Sequence, residues 1–374
     1  MRKRNVLLAA GACLAALSLT VGTAVADPTL PTPAGPRQLA GTGSDTTERV
    51  LNGLAGDTPA FAGIKLDGTN KTVASYDASG SANITTKGAA GSAPCTFTRP
   101  SGSSAGVNKL TVERTALNGC LQYARSSTND STGRAGQSLT YIPFAVDAVT
   151  YATLDTSNTS RNLSITTLRS LYDCSASAGT LANFRVLLPQ FNSGTRRFWL
   201  NNVLNVAGGD SATYAGNGVV GSAHPCVFDQ IGGTPILENN GKLLSDPKEI
   251  IPYSTAVWLS QVAKTPGVDD DHGTTLLGNP NGNLNPTPAA PSLQLNTAAP
   301  GARDVYNVVP NRLIDPAGSS PAQTATKQVF VGGSSQVCQN STVIRRFGFA
   351  PHPNCGSTSI QTDAGLGPAL GTGE

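Results

Sequence analysis

Residues 141–151 read Tyr141-Ile142-Pro143-Phe144-Ala145-Val146-Asp147-Ala148-Val149-Thr150-Tyr151. Aromatic and β-branched residues dominate, so the stretch predicts a strand, with Pro143 as a turn-like interruption. Downstream, residues 163–171 predict a helix: Ser164 is placed to cap it, and Ile165, Leu168 and Leu171 recur at helical spacing. Upstream, residues 73–77 and 121–124 predict two further short strands. Short strands alternating with helices predict an α/β protein. Residues 265–300, rich in Gly, Asn and Pro, predict a long surface excursion, and no fixed-period repeat is visible.

The chain has 374 residues, of which 13% are charged, against roughly 25% in ordinary globular domains. Glycine (41) and proline (25) are abundant, aromatics are scarce at 5%, and the 39% apolar fraction suffices for a core. Wholesale disorder needs low apolarity together with high net charge, and the net charge is only +3. The same small charge excludes a dedicated nucleic-acid binder, which concentrates basic surface.

Even the +3 belongs to the first 26 residues. Arg2, Lys3 and Arg4 precede an apolar run from Val6 to about Leu19, which ends in Ala24-Val25-Ala26. A cationic start, an apolar middle and an A-x-A site predict a secretory signal peptide cleaved after Ala26, and hence a secreted or periplasmic protein. The run is interrupted by Gly11, Thr20, Gly22 and Thr23, so it is too short for a membrane span. Cys13 lacks the leucine that a lipidation signal would place before it. Cleavage would leave 348 residues with 23 basic and 23 acidic side chains, a formal charge of zero.

Six cysteines remain in that mature chain: Cys95, Cys120, Cys174, Cys226, Cys338 and Cys355. An even number in an exported protein predicts three disulfides, and six cysteines permit 15 pairings. Sequence neighbours are favoured: Cys95–Cys120, Cys174–Cys226 and Cys338–Cys355. No C-x-x-C pair is present and there are only three histidines, so neither a metal nor a cofactor is expected. Asp269-Asp270-Asp271-His272 reads as a solvated acidic loop, without the spacing of an EF-hand.

Three segments place small hydroxyl residues at predicted helix starts. The first is Gly41-Thr42-Gly43-Ser44-Asp45-Thr46-Thr47-Glu48, where Asp45 and Glu48 have capping-box spacing. The second is Ser101-Gly102-Ser103-Ser104-Ala105-Gly106-Val107. The third is Asn192-Ser193-Gly194-Thr195-Arg196-Arg197, where Ser193 is placed to cap a helix burying Phe198 or Trp199 and Val203. A helix start presents unpaired N–H groups and partial positive charge. Glycine admits close approach, and hydroxyls add donors, so each segment is a potential anion cradle as well as an ordinary cap.

The ordered set resembles the substrate-binding proteins of phosphate ABC transporters, which have the type 2 periplasmic-binding-protein fold. It comprises 41–47, then 102–107, then Gln122-Tyr123-Ala124-Arg125-Ser126-Ser127, then Ser193-Gly194-Thr195. Residues 142–149 resemble the strand crossing into the second lobe, and Ile251-Pro252-Tyr253-Ser254 the return crossing. The resemblance implies a two-lobed α/β protein with a hinge, stapled by disulfides, that closes on phosphate or a related oxyanion. It implies a first lobe at 39–143 and 251–374 and a second lobe at 144–250, while residues 27–38, rich in proline, read as an extended lead-in. It implies ligand contacts from Asp45, Thr46, Ser103, Ser104, Arg125, Ser126, Ser127, Ser193, Gly194, Thr195 and Arg196. A monomer serving an ABC transporter permease is expected, without nucleic acid, membrane span or catalysis.

The chain departs from the family in its charges. Ser127 stands where the family carries an aspartate, Pro189 where it carries an arginine, and Asp45 where a threonine is usual. Asp45 is a candidate for the missing acceptor, and Arg125 or Arg196 for the missing cation. Two other readings stand beside this one. The first is a secreted hydrolase or phosphatase on the same scaffold, for which no G-x-S-x-G or H-E-x-x-H motif is found. The second is an extracellular structural or adhesion protein that has lost its ligand.

Overall fold

A computed structural model describes residues 27–28, 37–87, 93–176, 184–206, 208–209, 211–282 and 295–370. The predicted signal peptide, most of the lead-in and part of the 265–300 excursion lie outside the described residues. In chain order come β1 (Leu39–Gly43), α1 (Glu48–Ala55), β2 (Val73–Ser75), a hairpin of β3 (Asn83–Thr86) and β4 (Cys95–Thr98), α2 (Ser103–Ala116) and β5 (Tyr123–Ser126). The long β6 (Leu139–Leu154) leads into α3 (Ile165–Tyr172), β7 (Arg185–Leu187), α4 (Gly194–Arg197) and β8 (Val227–Phe228). A small hairpin of β9 (Gln230–Ile231) and β10 (Thr234–Pro235) precedes β11 (Glu249–Ser254), α5 (Thr255–Val262) and β12 (Thr275–Leu277). The chain continues through β13 (Ala302–Pro310), α6 (Pro321–Phe330), α7 (Gln336–Gln339), α8 (Ser341–Arg346) and β14 (Ala350–Pro351).

Ten strands form one curled sheet whose main path is β2-β1-β5-β13-β6-β11-β7-β8. The strand at 141–151 is its spine. All of β6 is buried except the half-buried Leu154, so both faces are covered and the sequence is a near-continuous apolar run. Pro143 does not interrupt it. The proline pairs with Tyr306, where β13 shifts register between Val305 and Tyr306, and this irregularity accommodates the missing donor. From Leu139 to Ala148, β6 pairs with β13; from Val149 to Ala152 it pairs with β11. One strand therefore belongs to two lobes. Ile142, Phe144 and Ala145 enter one core with Leu51, Val305 and Phe330, while Val149 and Tyr151 enter another with Leu168, Trp199 and Ile250.

Ser164 caps α3 by accepting from the Thr167 N–H (3.0 Å), and Ser193 caps α4 by accepting from Arg196 N–H (3.0 Å). Trp199 is the fully buried anchor of that third segment, while Val203 is half-buried. The strand expected at 121–124 lies two residues later, and Gln122 just before it accepts from the Ala40 N–H through its side chain. The capping box expected from Asp45 and Glu48 does not form. The helix begins at Glu48 with no side-chain cap; Glu48 Oε2 instead accepts from the Ala78 N–H (2.8 Å), and Asp45 turns to Asn239.

One close approach sets the first two hydroxyl segments side by side. Gly43 has φ +128°, and a Cβ there would stand 2.6 Å from the Arg125 carbonyl oxygen. A Cβ on Gly106 would stand 2.4 Å from Gly43 Cα. Only paired glycines let α2 and the end of β1 meet this closely.

The three disulfides are those between sequence neighbours: Cys95–Cys120, Cys174–Cys226 and Cys338–Cys355. Their Cα separations of 5.7, 5.8 and 5.8 Å fit unforced bridges. Among the described residues, no helix is long and apolar enough to cross a membrane.

Candidate functional site

The turn after β1 and the start of α4 face each other across the two lobes. Thr46 Oγ1 and Thr195 Oγ1 stand 3.2 Å apart. Both donate to one carboxylate oxygen, Glu238 Oε2, at 2.6 and 2.9 Å, and the Thr195 N–H points at Oε1 (3.4 Å). Behind the hydroxyls lies Arg303. Its Nη2 donates to Thr195 Oγ1 (2.9 Å), to Thr46 Oγ1 (3.3 Å) and to Asp147 Oδ2 (2.9 Å). Its Nη1 is buried without a partner among the described residues. Asp147 has no exposed surface; its Oδ1 accepts from Ser254 Oγ (2.8 Å) and the Ala256 N–H (3.0 Å) at the start of α5. A buried cation thus polarises two hydroxyls that in turn hold an anion, each link charge-assisted.

A second contact adjoins it. Ser103, the first residue of α2, accepts from the Ser127 N–H (3.0 Å), and its Oγ lies 3.2 Å from Ser127 Oγ. Gly194 packs on both: a Cβ there would stand 2.3 Å from either hydroxyl. The Ser104 N–H reaches the Asn192 carbonyl (3.4 Å), and Gln190 Nε2 donates to Ser101 Oγ (2.7 Å). The lobes are therefore closed on each other here. Thr46, Ser103, Ser127, Gly194 and Thr195 converge.

The remaining expected residues do not face this point. Arg125 is wholly buried, donating to the Ser44 carbonyl (3.0 Å) and Ser75 Oγ (2.9 Å) within its own lobe. Arg196 pairs with Asp229 (2.7 Å) and donates to the Pro189 and Ser211 carbonyls. The cation at the cradle is Arg303. Ser126 Oγ donates to the Thr128 carbonyl (2.7 Å), and Ser193 is the α4 cap. Asp45 Oδ1 accepts from Asn239 Nδ2 (2.9 Å) beside Glu238.

A cavity of about 120 Å³ opens next to the cradle, lined by Asp45, Thr46, Glu48, Arg49, Glu238 and Asn239 among others. Its carboxylates crowd one another. Burial pushes Asp45 well above the usual carboxylate range, and the nearby charges of Glu48 and Glu238 add to it. Asp77, behind them, accepts from Arg49 Nη1 (3.0 Å) and Asn52 Nδ2 (2.6 Å). Burial, with the charge of Glu48, nevertheless raises Asp77 from 3.8 to about 7. The folded protein therefore retains a proton that the unfolded chain releases between those values. Stability is expected to fall as pH rises from about 4 to 7, by about 1–3 kcal/mol. Urea titrations across this range should show the slope, and Asp77→Asn should flatten it. Asp269 and Asp271 of the acidic loop pair with Arg49 (2.7 Å) and Lys242 (3.1 Å).

No family model matches the chain, and no curated protein matches it. Solved structures do. A putative phosphate ABC transporter substrate-binding protein from Clostridium perfringens, with bound phosphate, covers 84% of this chain and 99% of its own, at 11% identity and a TM-score of 0.50. The fold is that of the two-lobed periplasmic binding proteins. An ABC-type phosphate transport receptor from Vibrio cholerae (12% identity, 83% and 99% coverage, TM-score 0.46) and a phosphate-binding protein from Stenotrophomonas maltophilia (13%, 84% and 90%, TM-score 0.44) are further matches.

In this two-lobed fold the contact between the lobes includes the place where Thr46 meets Thr195. Four of its residues were not singled out in the sequence: Glu238, Asn239, Arg303 and Asp147. Asp147 carried a signal, since a charge inside an apolar strand needs a partner. Arg303 lies 156 residues further on, and Glu238 sits in a loop with no motif; neither carried one.

Proposed function

We propose that this chain is an exported solute-binding protein that holds a small oxyanion, phosphate or a close relative, between its lobes. The ligand oxygens are held by the hydroxyls of Thr46, Thr195, Ser103 and Ser127, by the N–H groups of Gly194 and Thr195, and by Arg303 behind them. One observation carries the reading: a carboxylate, that of Glu238, is gripped by donors from both lobes with a buried guanidinium against the same hydroxyls. A site that holds one carboxylate this way has the donor geometry for an oxyanion. Such a protein delivers its ligand as a monomer to an ABC transporter permease.

Calorimetric titration with phosphate, sulfate and small sugars tests the reading. Phosphate is expected to bind, and Thr195→Val to weaken it about tenfold to a hundredfold, the worth of one charge-assisted hydrogen bond. Sugar binding without oxyanion binding would overturn it. Turnover of a chromogenic phosphate ester, lost in Thr195→Val, would replace it with a hydrolase.

A further inference from the structure

Glu238 occupies the place that the proposed ligand needs. Its carboxylate accepts hydrogen bonds from the hydroxyls of Thr46 and Thr195 and faces the Thr195 N–H. At the adjoining contact, Gly194 lies against Ser103 and Ser127 too closely even for a methyl group. The hydroxyl cradle therefore has no room for an oxyanion while Glu238 stays.

The loop that carries Glu238 is firmly mounted between Gln190 of the second lobe and the return crossing with α5. The Ile236 carbonyl accepts from the Gln190 N–H (2.8 Å). The Asn239 carbonyl accepts from Tyr253 Oη (2.5 Å) and Gln261 Nε2 (3.0 Å), and its Oδ1 accepts from the Ser254 N–H (3.0 Å). From this mount two side chains reach across to the turn after β1: Glu238 to Thr46, and Asn239 to Asp45 (2.9 Å). The 120 Å³ cavity beside them gives the Glu238 side chain space to swing out.

We propose that Glu238 is a built-in substitute ligand: its carboxylate latches the lobes shut without solute, and an incoming oxyanion binds by displacing it. This rests on the oxyanion reading for the identity of the displacing ligand, but the latch itself does not. The two groups cannot share the cradle, because a dianion placed against the carboxylate of Glu238, with Glu48 close by, is repelled. Ligand affinity is then lowered by the fraction of molecules in which Glu238 is seated.

The test compares wild type with Glu238→Ala and Glu238→Gln in two measurements. The first is small-angle scattering without any anion. Glu238→Ala should have a larger radius of gyration than wild type, and equal radii would overturn the latch whatever the protein binds. The second is phosphate titration. Both variants should bind about tenfold more tightly than wild type or better. Weaker binding by both would overturn displacement and make Glu238 a ligand contact, leaving the oxyanion reading intact. No phosphate or sulfate binding by any of the three would remove the oxyanion reading and the displacement step with it, while the scattering result still decides the latch. Unchanged circular dichroism and thermal midpoints within a few degrees identify variants that fold.

Discussion

Arg303→Met is expected to destabilise the protein by about 3–5 kcal/mol, the cost of leaving one member of a buried ion pair alone. The partner left behind is Asp147, which has no exposed surface and loses two hydrogen bonds from the guanidinium at 3.1 and 2.9 Å. Methionine fills much of the volume, so the loss is electrostatic rather than a cavity. The double variant Arg303→Met/Asp147→Asn separates stability from binding. A neutral amide removes the stranded charge, so the double variant should recover much of the lost stability while phosphate affinity stays as low as in Arg303→Met. Chemical denaturation and calorimetry on the same samples read both. Recovery of affinity along with stability would show that Arg303 acts only as a structural cation.

The second large effect is at Cys174–Cys226. The bridge closes 52 residues, the longest of the three loops, and chain-entropy arguments assign it about 4 kcal/mol. The bridges spanning 25 and 17 residues are assigned about 3.5 and 3 kcal/mol. Paired Cys→Ser variants should follow that order in thermal midpoint, the first lowering it on the order of 10 °C. Cys174 also holds a left-handed φ of +59° at the end of α3, next to the core of Tyr172 and Trp199. Loss of the bridge frees that turn to unwind. A larger loss from Cys338/Cys355 than from Cys174/Cys226 would contradict the loop-length account.

The two effects lie on different levels of legibility. Cysteine pairing was readable because pairing sequence neighbours closes short loops within one region of the chain. The helix starts were readable because capping is local: Ser164 and Ser193 each accept from a donor three residues ahead. Asp45 misled because its capping competitor was distant. Asn239, 194 residues away, satisfied the carboxylate that the helix would have used. Arg125 and Arg196 misled for the same reason, each finding partners inside its own lobe.

By itself the sequence determined the α/β alternation and the strand formers of the spine on either side of Pro143, favoured the three bridges, and marked the small-residue segments at helix starts. These follow from periodicity, local hydrogen bonding and loop closure, which act over a few residues or along one chain segment. Only the tertiary structure decided where the charges go. Arg303, Asp147, Glu238 and Thr195 come from four separated segments, and nothing local marks them as partners. Burying a charge is tolerable only when the whole fold supplies its counter-charge and hydrogen bonds. The electrostatics of the cleft are therefore written in three dimensions, and the scaffold that holds it is written in one.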